Sequence, residues 1–340
     1  MNDRTLTPFI VAPGLSGGGA AGHAARDALR GAVVAIGNFD GVHRGHRAAI
    51  DTACARARAL RRPAAVLTFE PHPRAFLKPQ APLFRLSEPS GKLRLLARTG
   101  LDGAIVLDFD AHLATLTAEA FVADILVGAF AVSGAVIGRN FLFGSNRTGT
   151  PDYLIAQGAL RGFAVDIVPP FTLDGRMVSS GAIRTALEQG DLPTATAMLG
   201  APWFVTGEVI HGDKRGRDLG YPTANIRLAP DCALRHGIYA VRIGIDGAWH
   251  AGVASFGRRP TFDNGAALLE IHLFDFAGDL YGRPLDIAFI GYIRDELKFD
   301  SIETLIAQMD RDSAEARAIL DRQPEAVPLL AAPGEITAAI

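Results

Sequence analysis

Cysteine is close to absent from this sequence. Cys54 and Cys232 are the only two in 340 residues, they lie far apart, and neither falls at a metal-ligand spacing. Neither a disulfide framework nor a structural zinc site is suggested, and the cytosol is the default compartment. Net charge is almost missing too, because 34 Lys and Arg stand against 36 Asp and Glu. The balance of -2 leaves no footprint for nucleic-acid or membrane binding, so any phosphate must be met by local groups. Long apolar runs are also lacking. The N-terminal FIVAPGL is too short and too interrupted for a signal peptide, and no run approaches the length that spans a bilayer.

What is present is an ordinary globular composition, 49% hydrophobic and 21% charged, in a chain longer than most single cores. Two domains are the natural expectation, with one large domain as the alternative. Residues 1–30, rich in Gly and Ala, read as a loose lead-in with a single helical turn. From Ala32 the β-rich runs AVVAI, AAVLTF, GAIVLDF and GAVIG alternate with helical patterns such as GHRAAIDTACARARAL, SGKLRLLART and AEAFVADILVGAF. Such alternation implies an α/β domain with a Rossmann-like parallel sheet, spanning residues 31–186.

After Pro169 the pattern changes. VSSGAIRTALEQGDLPTATAMLG reads as two short helices parted by GDLP, with residues 187–202 as the linker. From Trp203 to residue 325, alternating runs at hairpin spacing, with Asp246-Gly247 placed for a tight turn, suggest an antiparallel β-barrel or sandwich of five or six strands. A helix from Ser301 to Arg322 closes it, and residues 326–340 are left as a C-terminal tail.

Two stretches carry chemistry. GNFDGVHRGH (37–46) follows the first strand, the place where an α/β sheet meets its ligands. Gly37 and Gly41 allow close backbone approach, the following helix start can hold an anion, and His43 and His46, three apart, share one face. Taken alone, two histidines three apart are better read as a helix cap or a metal site than as phosphate ligands. The second stretch is HGDKRGRDLGYPTANI (211–226). Gly212, Gly216 and Gly220 with Lys214, Arg215 and Arg217 make a basic glycine-rich loop. In PTAN, alternation puts Thr223 and Asn225 on one face, where a hydroxyl and an amide oxygen suit Mg²⁺. Downstream, Glu270 in ALLEIHLFDF shares a face with Leu268, His272 and Phe274 and opposes Leu269 and Ile271. A carboxylate there is either an exposed strand residue or a general base for a substrate hydroxyl.

VVAIGNFDGVHRGH resembles the opening of the bacterial bifunctional riboflavin kinase/FAD synthetase family, and its HRGH matches the HxGH motif of nucleotidyltransferases. LTFEPHPR, GRNFLFGSNRTGT and VSSGAIR resemble the family's next three blocks. GIYAVRI, GVASFGRRPTF, LLEIHLFDFAGDLYG and YIRDELKFDSIETLIAQMDRD resemble its kinase domain, so the likeness runs from about residue 30 to 325. It implies ATP contacts from Gly37, Asn38, Phe39, Asp40, Asn140, Ser179, Ser180, Arg184, Gly212, Arg215, Gly216, Thr223 and Asn225. It also implies adenylyl transfer at His43 and His46, Mg²⁺ with ATP at Thr223 and Asn225, a kinase base at Glu270, and flavin contacts from His72 and Arg259. Riboflavin, FMN and ATP are the implied substrates. His72, bracketed by Pro71 and Pro73, is equally readable as an exposed loop histidine. Three positions depart from the pattern: Asn140 stands where many members have Asp, Gly181 replaces the Thr of SSTxxR, and Ser255 replaces an Asn. Two rivals remain at this point: an adenylyltransferase for another small phosphate ester, and a flavin- or nucleotide-sensing module without turnover.

Overall fold

The structure, a computed structural model, describes residues 8–15, 19–212, 220–258 and 267–323, with 327–328, 330, 332 and 335–338 beyond them. The chain divides into two compact units. One comprises Met1–Leu83, Pro89–Val178 and Leu330–Ile340; the other comprises Phe84–Glu88 and Ser179–Leu329.

The first unit is built on strands β1 (Phe9–Pro13), β2 (Val33–Ile36), β3 (Ala64–Glu70), β4 (Gly103–Asp108), β5 (Gly134–Gly138) and β6 (Ala164–Val168). With a last strand, Ile336–Ala338, they form one parallel sheet in the order Ile336–Ala338, β1, β4, β3, β2, β5, β6. β2 is buried along its whole length and β3 along all but its last residue, as a parallel sheet covered on both faces requires. The helices are α1 (Gly19–Ala28), α2 (Arg44–Leu60), α3 (Pro73–Leu77), α4 (Pro89–Leu96), α5 (Ala111–Thr115), α6 (Ala118–Ala120) and α7 (Pro151–Arg161). In α2, the buried residues Ile50, Ala53, Cys54 and Ala57 repeat at helical spacing and seat the helix on the sheet. A short hairpin, β7 (Thr172–Leu173) with β8 (Arg176–Met177), ends the unit's main run.

The second unit starts with α8 (Ser180–Glu188) and α9 (Leu192–Leu199). Strands β9 (Phe204–Ile210), β10 (Ala224–Arg227), β11 (Gly237–Ile245), β12 (Ala248–Arg258), β13 (Ala267–Leu273) and β14 (Pro284–Arg294) then close a barrel in the order β10-β13-β12-β11-β14-β9. Closure removes free edges and decides for a barrel against a sandwich. Ile245 pairs with Ala248 across a two-residue loop in which Asp246 and Gly247 both have positive φ, 48° and 85°, the tight turn expected at that dipeptide. Helix α10 (Ile302–Asp321), capped by the Ser301 side chain, packs against β11, β12 and β14.

Three sequence expectations change. The lead-in is not loose throughout: β1 pairs with β4, and α1 follows it. The tail is not wholly free, because Phe9, Ile10 and Val11 register with Ile336, Thr337 and Ala338. The lead-in was read from its Gly and Ala content and the tail from its place after the last helix, whereas their short apolar runs are completed only by partners far along the chain. The helix expected at AEAFVADILVGAF becomes π-helical over Phe121–Ala129, with Phe121, Val122, Ile125 and Leu126 buried. Its wider turn presents those adjacent apolar pairs to one core, a choice that local propensity does not encode.

Candidate active sites

β2 ends at Ile36, and the backbone then turns sharply. Phe39, Gly41 and Val42 have φ of 52°, 80° and 43°, a region costly for a side chain and most of all for a β-branched one. Phe39 and Asp40 are buried in the turn. His43 is extended and caps α2, its Nδ1 accepting the His46 backbone N–H at 3.2 Å. An accepting Nδ1 places the proton of the neutral ring on Nε2, which is thereby a donor. The His46 ring stacks on His43 with centroids 3.6 Å apart and planes 14° from parallel. Between them, a Cβ on Gly45 would lie 3.1 and 3.2 Å from Cε1 and Nδ1 of His43, which explains the glycine in HRGH. Burial, the His43 ring and the Lys92 ammonium together hold the His46 pKa well below the ordinary histidine value. Its buried Nδ1 has no hydrogen-bond partner among the described residues. The neutral form of the His46 ring is therefore favoured.

Beside this turn lies a cavity of about 740 Å³. The ends of four adjacent strands line it, with Asn38 after β2, Phe69 and His72 at β3, Phe109 after β4 and Asn140 after β5. His72 therefore faces the cavity, while its Nδ1 also accepts the Arg74 backbone N–H at 3.1 Å to cap α3. Phe69 and Phe109 meet edge to face at 6.0 Å, and Phe141 stacks on Phe143 at 5.5 Å. These walls suit a flat aromatic ligand. Sequence reading missed Phe109 as well as Lys92 on α4. The buried set Gly91, Lys92, Leu95 and Leu96 puts that lysine on an apolar helix face, the signal that was available for it.

Ser179, Ser180 and Arg184 belong to the second unit. Ser179 Oγ accepts the Ala182 backbone N–H at 3.2 Å and caps α8. Arg184 Nε donates to the Phe84 carbonyl at 2.5 Å. That carbonyl is itself fixed, since the Phe84 ring meets Trp203 edge to face at 5.6 Å and Trp203 Nε1 donates to the Leu86 carbonyl at 2.8 Å.

On the barrel, Leu269 and Ile271 are fully buried inside, so Glu270 and His272 point to the outer face. Asn225 on β10 and Ser255 on β12 are each in direct register with Glu270 on β13. Thr223, Ser255, Glu270 and His272 line a pocket of about 100 Å³ together with Asp312 of α10. Arg294 grips Asp312 through two bonds of 2.8 and 2.6 Å, which fixes the helix against the barrel. His272 Nδ1 lies 3.0 Å from the Pro222 carbonyl and pins the residue before Thr223. A Cβ on Gly212 would overlap the Asn225 amide, so glycine there lets that side chain keep its position. Arg215, Gly216 and Arg259 lie outside the described residues. Among the described residues no three His, Cys, Asp or Glu side chains group as a metal cage. Thr223 and Asn225 could offer a hard cation neutral oxygens only, so that most of its ligands would have to come from phosphate and water.

The comparisons with known proteins follow the same division. The family described as FAD synthetase matches residues 25–182, and that described as riboflavin kinase matches residues 199–320. One chain thus joins two flavin-enzyme domains of different architecture. It is 41% identical over 298 residues to the "Bifunctional riboflavin kinase/FMN adenylyltransferase" of Pseudomonas fluorescens, covering 87% of this chain and 96% of that protein. The protein of the same description in Escherichia coli K12 is 40% identical over 291 residues, 84% of this chain and 92% of its own. A crystal structure from Streptococcus pneumoniae, described as a "Macrolide-efflux Protein", superposes with a TM-score of 0.79 at 32% identity, covering 91% of this chain and 99% of that one. The chain belongs to the bifunctional riboflavin kinase/FMN adenylyltransferase family.

Proposed function

We infer that this chain makes flavin cofactors in two ATP-dependent steps. Riboflavin is phosphorylated to FMN, and FMN is adenylylated to FAD with release of pyrophosphate. The observation that carries the reading is the row Asn225, Glu270 and Ser255 across three barrel strands at the Thr223 pocket, in the same chain as the histidine pair beside an aromatic cavity.

In the first step Glu270 takes the proton from the ribityl 5′-hydroxyl, whose oxygen attacks the γ-phosphorus of ATP as the bond to the β,γ-bridging oxygen breaks, giving FMN and ADP. Thr223 and Asn225 would hold Mg²⁺, which when bound neutralises phosphate charge. Gly212, Arg215 and Gly216 would wrap the phosphates, and Arg259 would meet the flavin. In the second step the FMN phosphate, already ionised, attacks the α-phosphorus of a second ATP, so no strong base is needed. Alignment and charge stabilisation fall to His43, His46, the Gly37–Asp40 turn, Ser179, Ser180 and Arg184. The isoalloxazine would occupy the aromatic cavity with His72 and Asn140 at its wall. The two activities map onto residues 203–325 and 31–186 respectively.

Incubation with riboflavin, ATP and Mg²⁺, with flavins resolved by chromatography, tests this. FMN followed by FAD is expected. Absence of both products would overturn the reading, and FAD formed only from supplied FMN would confine turnover to the first unit.

A further inference from the structure

Lys92 is the unusual residue in the first unit. Its side chain is 2% exposed, and its ammonium lies 2.5 Å from Glu70 Oε1. It also donates to Thr68 Oγ1 at 3.2 Å and to the Phe69 carbonyl at 3.4 Å. A buried cation is costly unless it is paired and fully bonded, and here three successive residues at the end of β3 bond it. The contact with Thr68 leads onward. Having accepted from Lys92, the Thr68 hydroxyl donates to the Asn38 carbonyl at 3.2 Å. Asn38 is in the turn that leaves β2 and both shapes the aromatic cavity and leads into His43. The chain of bonds from ammonium to hydroxyl to carbonyl is polarised in one direction, which strengthens each link.

We propose that Lys92 is a positioning residue for adenylyl transfer: through Thr68 it holds the Asn38 carbonyl, and with it the turn that presents His43 and His46, while its fixed charge lies behind the phosphate-binding edge of the sheet. This rests on the adenylyl-transfer reading of the site above. Lys92 itself touches no substrate. Its charge is one of the groups that disfavour a proton on His46, alongside the His43 ring and burial. Strain in the turn at Phe39 and Val42 explains why such an anchor is needed, because a strained loop persists only where its surroundings overdetermine it.

The test uses the full chain and measures FMN-to-FAD and riboflavin-to-FMN rates separately, with thermal unfolding alongside. The double variant Lys92→Met/Glu70→Gln removes both charges, so no orphan ion is left buried. It is expected to lower kcat for FAD formation about 10- to 100-fold while KM for ATP changes less than about threefold, as misplacement of reacting groups does. The riboflavin kinase rate should be unchanged. Thr68→Val cuts the link and leaves the ion pair. It should lower kcat about three- to tenfold, and adding it to the double variant should cost less than that again, because both changes loosen the same Asn38 carbonyl. A folded double variant with wild-type kcat would overturn the proposal, as would strictly additive losses. If the double variant fails to fold, an unimpaired Thr68→Val overturns it alone. A wild-type chain that phosphorylates riboflavin but forms no FAD would instead refute the adenylyl-transfer reading, and this inference with it.

Discussion

Asn225 and Glu270 stand opposite each other on neighbouring antiparallel strands, with Ser255 completing the row from the third. The pairing brings Asn225 and Glu270 side by side, although 45 positions separate them in sequence. Side chains directly opposite are about 5 Å apart at Cβ, so a phosphate bound near Asn225 lies within reach of a hydroxyl presented to Glu270.

Glu270→Gln keeps the shape of that row and removes its basicity. FMN formation is expected to fall about 10²- to 10⁴-fold, the usual contribution of a general base, with FMN-to-FAD conversion unchanged. Equal loss of both rates would show that Glu270 supports the fold and not the proton transfer.

Both halves of the architecture were legible because each has a distinct period. Continuous apolar strands parted by helices mark the parallel sheet, and two-residue alternation with Asp246-Gly247 marks the barrel. Illegible parts are those completed at long range. Phe9–Pro13 finds its partners at Gly103–Val106 and Ile336–Ala338, and nothing local announces either pairing. The sites divide the same way. His43, His46, Thr223 and Asn225 lie in compact motifs, whereas Lys92 acts from a helix whose sequence, PSGKLRLL, reads as an ordinary amphipathic segment. Its meaning comes from Glu70 and Thr68, which only the fold brings to it.

Gly45→Ala is a small change with a specific target. The added methyl would lie at 3.1 to 3.2 Å from the His43 ring, so the ring must give by a few tenths of an ångström, which disturbs its stack on His46. FAD formation from FMN should fall about 10- to 100-fold, while riboflavin phosphorylation is retained. Alanine's better helix propensity offsets part of the stability loss, so the melting temperature should move little. A variant with full FAD synthesis would show that the stacked geometry is not the working one.

His46 gives a signed pH dependence. Its folded pKa lies well below the ordinary value of about 6.5, chiefly through burial and then through His43 and Lys92. Between those two values the unfolded chain binds a proton that the folded chain refuses. Stability therefore falls as pH drops below about 6.5, with a limiting slope of about 1.4 kcal/mol per pH unit, and levels off below the folded pKa. His46→Gln should flatten that part of the profile in denaturant titrations between pH 5 and 8. Parallel profiles for the two proteins would refute a buried neutral His46.

Gly181 poses the opposite question to Gly45, because here the family pattern has a side chain and this protein does not. A Cβ at position 181 would meet only Ser179 Oγ, at 3.8 Å, and the residue is exposed in the first turn of α8. No packing reason keeps glycine there, and its φ is not in the left-handed region. Threonine is therefore expected to be accommodated without strain and to stabilise the helix by about 0.3 kcal/mol, since glycine is the weakest non-proline helix former. If the added hydroxyl reaches a phosphate, a charge-assisted bond in a half-exposed setting should lower the KM for ATP in FAD formation about three- to tenfold. The kinase step should not respond, and titration of ATP in the two reactions separately reads this directly. An unchanged KM in Gly181→Thr would place the 181 side chain away from the bound triphosphate and leave Arg184, held by the Phe84 carbonyl, as the α8 residue to probe next.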